Sequence, residues 1–273
     1  MLPIIKRISL PDRIYILAMM ILTWMYGSGC TTRIQGCLDV NAENFDLNAE
    51  RNCDGCCTYP SISLSLSQKW NDENFTNEDT LYDVQLRPYR IQDLRFFLTT
   101  WAWRDTEGKW LSVDSVEADC GNSVLTYTPD NLIVDTRKFL YVMGTIREPP
   151  LIDSIRFAFG LTRDFSCLDE NDTATPPELS DQSPLWNPAS SSLETVRLVV
   201  ERTPGSAIYD TLYINHQKGV GLEYGLQFQK GVDTQLSLSV NYALWFSEVD
   251  ITDLNSFAIS ILSNFDGSIT KTP

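Results

Sequence analysis

Residues 61–67 read SISLSLS, with Ile62, Leu64 and Leu66 on one side of the chain and serines on the other. Strict alternation sends successive side chains to opposite faces, the pattern of a half-buried β-strand. Apolar runs of similar length follow at 93–103, 138–143, 154–161, 196–200, 209–214, 222–228, 235–242 and 257–262. Turn signals at Glu107-Gly108, Pro204-Gly205 and Lys230-Gly231 separate several of them. No window of a dozen residues keeps a helical stripe. Strands at this spacing predict an all-β fold, an antiparallel β-sandwich of immunoglobulin-like or related type over residues 61–273, with a frayed tail from Asn264 to Pro273.

The composition narrows the function. Of 273 residues, 43% are hydrophobic and 21% charged, values of an ordinary globular chain. The net charge of −15 argues against a nucleic-acid binder that neutralises phosphates. A single histidine, His216, excludes any site that needs two.

The first thirty residues predict export and a lipid anchor. Lys6, Arg7 and Arg13 precede an apolar run from Ile14 to Tyr26, and Gly27, Ser28 and Gly29 lead into Cys30. The run is short for a membrane-spanning helix, which needs about 20 residues. Small residues before a cysteine suit a bacterial lipoprotein peptidase, so residues 1–29 read as a signal peptide and Cys30 as the lipidated first residue. Gly27 stands where such sites usually carry leucine. An ordinary signal peptide with Cys30 merely nearby and an uncleaved anchor are the alternatives. Cleavage removes Lys6, Arg7, Arg13 and Asp12, so −15 becomes −17. The expected location is the outer membrane or cell surface, with the periplasm possible.

Export favours disulfides for the other cysteines. Cys37, Cys53, Cys56 and Cys57 cluster in one short stretch, and Cys120 and Cys167 remain as a natural pair. No strand-helix context surrounds the C-x-x-C of Cys53 and Cys56, so a structural bridge is expected rather than a redox site. A zinc knuckle is the alternative, set against the adjacency of Cys56 and Cys57. Four cysteines allow three pairings, and the sequence does not choose among them.

Residues 36–60, GCLDVNAENFDLNAERNCDGCCTYP, resemble a short module of secreted and surface proteins of Bacteroidota. Cys37, Asp39, Ala42, Asn44, Phe45, Asp46, Ala49, Asp54, Gly55, Cys57 and Tyr59 carry the likeness, with Cys53 and Cys56 in place of an acid and a serine. Residues 30–60 are therefore expected to form a small disulfide-stapled module. Asp39, Asn41, Asn44 and Asp46 crowd oxygens that could hold calcium, although the same residues make Asx turns without an ion, and the turn is the favoured reading.

Residues 168–195, LDENDTATPPELSDQSPLWNPASSSLET, are too long and proline-bearing for a hairpin and must leave the sheet. Trp186 stands alone there among polar residues. It is expected to fold back over the end of the sandwich as a lid, or to meet a partner.

LRFFLTTWAW at 94–103, IRFAFGLTRDFS at 155–166, SPLWNP at 183–188 and LSLSVNYALWFSEVDI at 236–251 together resemble, in that order, the methanobactin-associated copper-binding (MbnP-like) family over about residues 61–265. The late segment matches through Trp245, Phe246, Asp250 and Ile251. The resemblance implies a periplasmic or outer-surface β protein that binds copper through histidines and an oxidised tryptophan made by a partner dihaem peroxidase-like enzyme. It makes Trp186 the candidate oxidised tryptophan. Copper needs several imidazoles and His216 is the one candidate metal ligand, so a reduced or lost copper site is expected. A lone histidine beside Asn215 and Gln217 after a strand is more often a turn residue than a ligand.

Catalysis is not expected. No G-x-S-x-G elbow precedes a helix, and carboxylate pairs such as Asp114 with Glu117 or Asp250 with Asp253 are unremarkable in so acidic a chain. Gly219-x-Gly221 reads as a hairpin bend rather than a phosphate cradle. The sequence therefore predicts a surface or periplasmic lipoprotein that acts as a binding or partner-docking module. A structural or adhesive surface protein without metal is the alternative.

Overall fold

The computed structural model describes residues 33–53, 55–120, 123–147, 151–162, 165, 167–168 and 176–272. The signal segment and the lipidation site Cys30 lie outside these residues. The chain forms two compact units, one drawn from Met1–Leu38 and Asp46–Cys56, the other from Asp39–Phe45 and Cys57–Pro273.

In the first unit, Gln35–Gly36 pairs in parallel with Arg51–Asn52. Asp46 binds the Cys37 carbonyl through its own N–H at 2.8 Å, and its carboxylate accepts the Asn48 N–H at 2.9 Å. A Cβ on Gly36 would sit 2.9 Å from Asp46 Oδ2 and 3.0 Å from Ala49 Cβ, so little room is left for a side chain at this point of the strand. Cys53 and Cys56 form a disulfide.

The second unit is the sandwich. Its principal elements are β1 (Ser61–Trp70), β2 (Pro88–Asp105), β3 (Leu132–Asp135), β4 (Leu140–Thr145), β5 (Leu151–Phe159) and β6 (Val196–Glu201). They continue as β7 (Asp210–Ile214), β8 (Lys218–Gln227), β9 (Thr234–Asn241), α1 (Tyr242–Trp245), α2 (Asn255–Ser268) and β10 (Ile269–Lys271). A five-stranded sheet runs β4-β1-β9-β10, with Glu73–Asn74 also on β1. An eight-stranded sheet runs β7-β6-β2-β5-β8, with β3, Leu81–Tyr82 and Trp110–Leu111 also paired to β2. The alternation of residues 61–67 holds: Ile62, Leu64 and Leu66 are fully buried. They face Leu94, Phe96, Leu98, Trp101 and Trp103 from the other sheet in one core, each large side chain contributing about 1.5–3 kcal/mol of burial.

Three expectations are corrected. The run at 257–262 is helical: α2 buries Phe257, Ser260, Ile261, Phe265 and Ser268, a three-to-four-residue spacing that turns one helix face inward. The tail is ordered, since β10 pairs antiparallel with β9. Gly219 and Gly221 lie within β8 rather than at a bend. The sheets are mostly antiparallel as expected, but β1 and β9 pair in parallel, Leu64 opposite Leu236. Both helices cap this core. Trp245 sits with ring centroids 4.9 Å from Phe96 and 5.5 Å from Phe265, and its indole N–H donates to the Ser268 hydroxyl at 2.5 Å.

β5 and β6 lie end to end along the same edge of β2. β5 pairs with residues 98–105 and β6 with residues 90–96. Between them Phe97 donates its N–H to the Thr195 carbonyl and accepts the Gly160 N–H, both at 3.0 Å. In the next row, Ile214 of β7 opposes Val196 and Lys218 of β8 opposes Phe159. Residues 161–194 are thus an insert at a seam in one strand row. The seam is stitched tightly. The Thr99 hydroxyl donates to the Gly160 carbonyl at 2.6 Å, and the Thr195 hydroxyl accepts the His216 N–H at 3.0 Å while donating to the His216 carbonyl. Gly160, at φ +93°, has the His216 carbonyl where a Cβ would go, which is why glycine stands there.

The described residues of the insert fold over the outer face of the eight-stranded sheet. Leu179 and Leu185 join Phe97, Ala118, Tyr127 and Phe165 in a second apolar cluster. The Cys120–Cys167 disulfide ties the insert to the hairpin of Val116–Asp119 and Val124–Tyr127.

Candidate functional site

β2 is interrupted on its way along the sheet. Pairing with β5 skips between Thr99, opposite Ala158, and Ala102, opposite Arg156, so Thr100 and Trp101 together face Phe157. This is a β-bulge. Thr100 takes φ +50°, the left-handed region that a β-branched residue rarely enters. The Trp101 N–H leaves the ladder and donates to Asp130 Oδ2 at 2.6 Å, and the Thr128 hydroxyl donates to Oδ1 at 2.5 Å. Asp130 is fully buried. Burial pushes its carboxyl above the usual range, against the Thr128 and Trp101 hydrogen bonds that pull it down. A buried carboxyl therefore holds the bulge, and the bulge sets Thr100 beside a shallow, open trough of about 520 Å³.

The trough is floored by Ala158, Gly219 and Gly221 and flanked by Thr100, Trp110 and Arg156. A Cβ on Gly219 or Gly221 would meet nothing within 4 Å. These glycines are thus not required by packing, although glycine inside a strand weakens it. Trp110 remains 37% exposed. The Arg156 guanidinium lies 4.2 Å above its ring and that of Arg104 at 5.9 Å, so cation–π attraction orients both. Arg104 is committed to Asp153 at 3.0 Å and Ser154 at 2.9 Å. Arg156, among the described residues, has no carboxylate within ion-pair distance. The Thr100 hydroxyl likewise has no hydrogen-bond partner among them.

The residues singled out in the sequence lie elsewhere. His216 is half-buried between β7 and β8, and its backbone, through Thr195, closes the seam. Trp186 is half-buried in a short strand paired with Ser192–Leu193. The residue that anchors its loop is the adjacent Leu185, which is fully buried. All six cysteines from Cys37 onward are in disulfides, Cys53 with Cys56 and Cys120 with Cys167. In the Asp39–Phe45 segment, Asp39 accepts the Asn41 N–H and the Tyr59 hydroxyl, each at 2.9 Å, and Asn44 accepts the Thr58 N–H at 2.9 Å. The Asp39–Asn41 contact is an Asx turn, and the other two oxygens bind donors more distant in the chain.

Among the described residues no three His, Cys, Asp or Glu side chains come together, and oxidised cysteines offer no thiolate. Among them, too, no helix is long and apolar enough to cross a membrane. Thr100, Trp110, Asp130 and Arg156 were not singled out in the sequence. The available signal was two threonines within the apolar run at 94–103 and the alternate glycines of β8.

Fold and site together define an all-β sandwich with a disulfide-tied insert and an open trough on one sheet face. Neither a protein-family model nor a curated protein matches the sequence. Among solved structures the chain is similar to MbnP from Methylosinus trichosporium, at 11% identity over 70% of this chain and 78% of that one, with a TM-score of 0.43.

Proposed function

We propose that the protein is an exported, lipid-anchored, non-catalytic binding module of the MbnP-like kind, its copper site reduced or lost, and that the trough is its binding surface. The observation that carries this reading is the trough itself. A threonine held in the left-handed region by a buried carboxyl stands beside strand glycines that no neighbour requires, and such strain gathers where ligands are met. The disulfides support an oxidising compartment. Loss of the metal site is argued from the single histidine of the chain, since a copper site needs several imidazoles.

Copper titration of the mature chain, with His216→Ala as control, tests the metal clause. The expected result is no stoichiometric binding in either. Stoichiometric, His216-dependent copper binding overturns it.

A further inference from the structure

The chemistry of the trough names a class of ligand, on the reading that this surface binds at all. Its floor is flat and carries no side chain larger than a methyl group, from Ala158, Gly219 and Gly221. The backbone N–H and C=O groups of the floor lie in the plane of the sheet, those between β8 and β5 pairing from Lys218 opposite Phe159 to Leu222 opposite Ile155, and none is aimed at a ligand on the face. A peptide lying flat on this face, away from the β8 edge, would find no backbone partners and would bury its own polar groups unsatisfied. A pyranose ring has no such demand: one face presents only C–H bonds, and its polar groups point outward from the rim. At that rim stand the Thr100 hydroxyl and the Arg156 guanidinium. Stacking on Trp110 fixes the guanidinium plane, which leaves its N–H fork free for a carboxylate. In a chain of net charge −15, a cation without a carboxylate partner among the described residues marks a local preference for an anion.

We propose that the trough binds a uronate residue of an acidic polysaccharide. The C–H face of the sugar lies on Ala158, Gly219 and Gly221, its carboxylate meets Arg156, and a ring hydroxyl meets Thr100.

The test is calorimetric titration of the mature, disulfide-intact chain with a galacturonate oligomer, with the neutral galactose oligomer of equal length and with an oligo-aspartate peptide. Binding of the uronate alone is expected. Arg156→Gln should weaken it by about tenfold or more, the loss of a charge-assisted hydrogen bond. Gly221→Val raises strand propensity and meets no neighbour, so it should leave folding intact or strengthen it while abolishing binding. Equal binding of the neutral sugar, equal binding of the peptide, no uronate binding, or binding indifferent to both substitutions each overturns the proposal. Because the copper titration is a separate measurement, failure here leaves the metal clause untouched.

Discussion

Replacing Thr100 with glycine should stabilise the protein, although the change empties a position inside the longest strand. A Cβ-bearing residue in the left-handed region costs about 1–2 kcal/mol. Glycine removes that cost but loses about 0.5–1 kcal/mol more backbone freedom on folding. The Thr100 hydroxyl has no partner among the described residues, so its removal subtracts little. The net expectation for Thr100→Gly is a gain of about 0.5–1 kcal/mol, read as a higher urea midpoint at unchanged m value. Thr100→Ala is the control, because it keeps the Cβ and should recover less than half of the gain. Should Thr100→Gly lower the midpoint, or raise it no more than Thr100→Ala does, then φ +50° stores no strain, and the case for a site built at the cost of stability falls with it.

Acid should act through Asp83. Its side chain is fully buried, and burial pushes its pKa up. The Arg87 guanidinium and the N–H groups of Arg87, Ile251 and Gln85 outweigh this and bring it to about 2. A depressed carboxyl stabilises the fold above its unfolded pKa of 3.8, and this contribution is lost as pH falls from about 4 towards 2, an amount of about 2 kcal/mol. Stability measured by denaturant at steps from about pH 5 to about pH 2 should therefore fall more steeply for the wild-type chain than for Asp83→Asn, and equal slopes would refute the assignment. Asp130, with its raised pKa, contributes in the opposite sense and cancels in that comparison. In the insert, Leu185→Ala should cost about 2–5 kcal/mol as a core truncation, whereas Trp186→Ala should cost less than half of that. Hydrogen exchange of residues 176–194 measures both, and a larger effect for Trp186 would make it, rather than Leu185, the anchor of the loop.

The strands were legible because their chemistry is local. Ser61 to Ser67 announces its two faces in order, and Gly108, Gly205 and Gly231 all take positive φ at the three turns marked by glycine. α2 escaped notice for an equally local reason. Its buried face includes Ser260 and Ser268, so the apolar stripe is broken, and FAISIL alone is as apolar as a strand. No side chain caps its start at Leu254, whereas α1 does carry a readable signal, the Asn241 side chain accepting the Ala243 N–H. Long-range arrangement left no mark at all. Nothing in SISLSLS says that its neighbour Thr234–Asn241 runs parallel, and nothing near Thr100 says that Asp130, distant in sequence, will take the Trp101 N–H. The trough was half legible: the glycines were noticed and placed at a bend, because alternation through glycine looks like a turn when the partner strand is unknown.

The seam between Gly160 and Thr195 has an evolutionary corollary. Both ends of the insert return to one address, fastened by Thr99, Thr195 and the His216 backbone, so whatever is spliced there inherits fixed endpoints and need not disturb the layers beneath. Relatives could exchange this segment wholesale, lengthening, shortening or replacing it, while the scaffold continues to fold. The same property makes the seam a natural port for grafting a foreign loop.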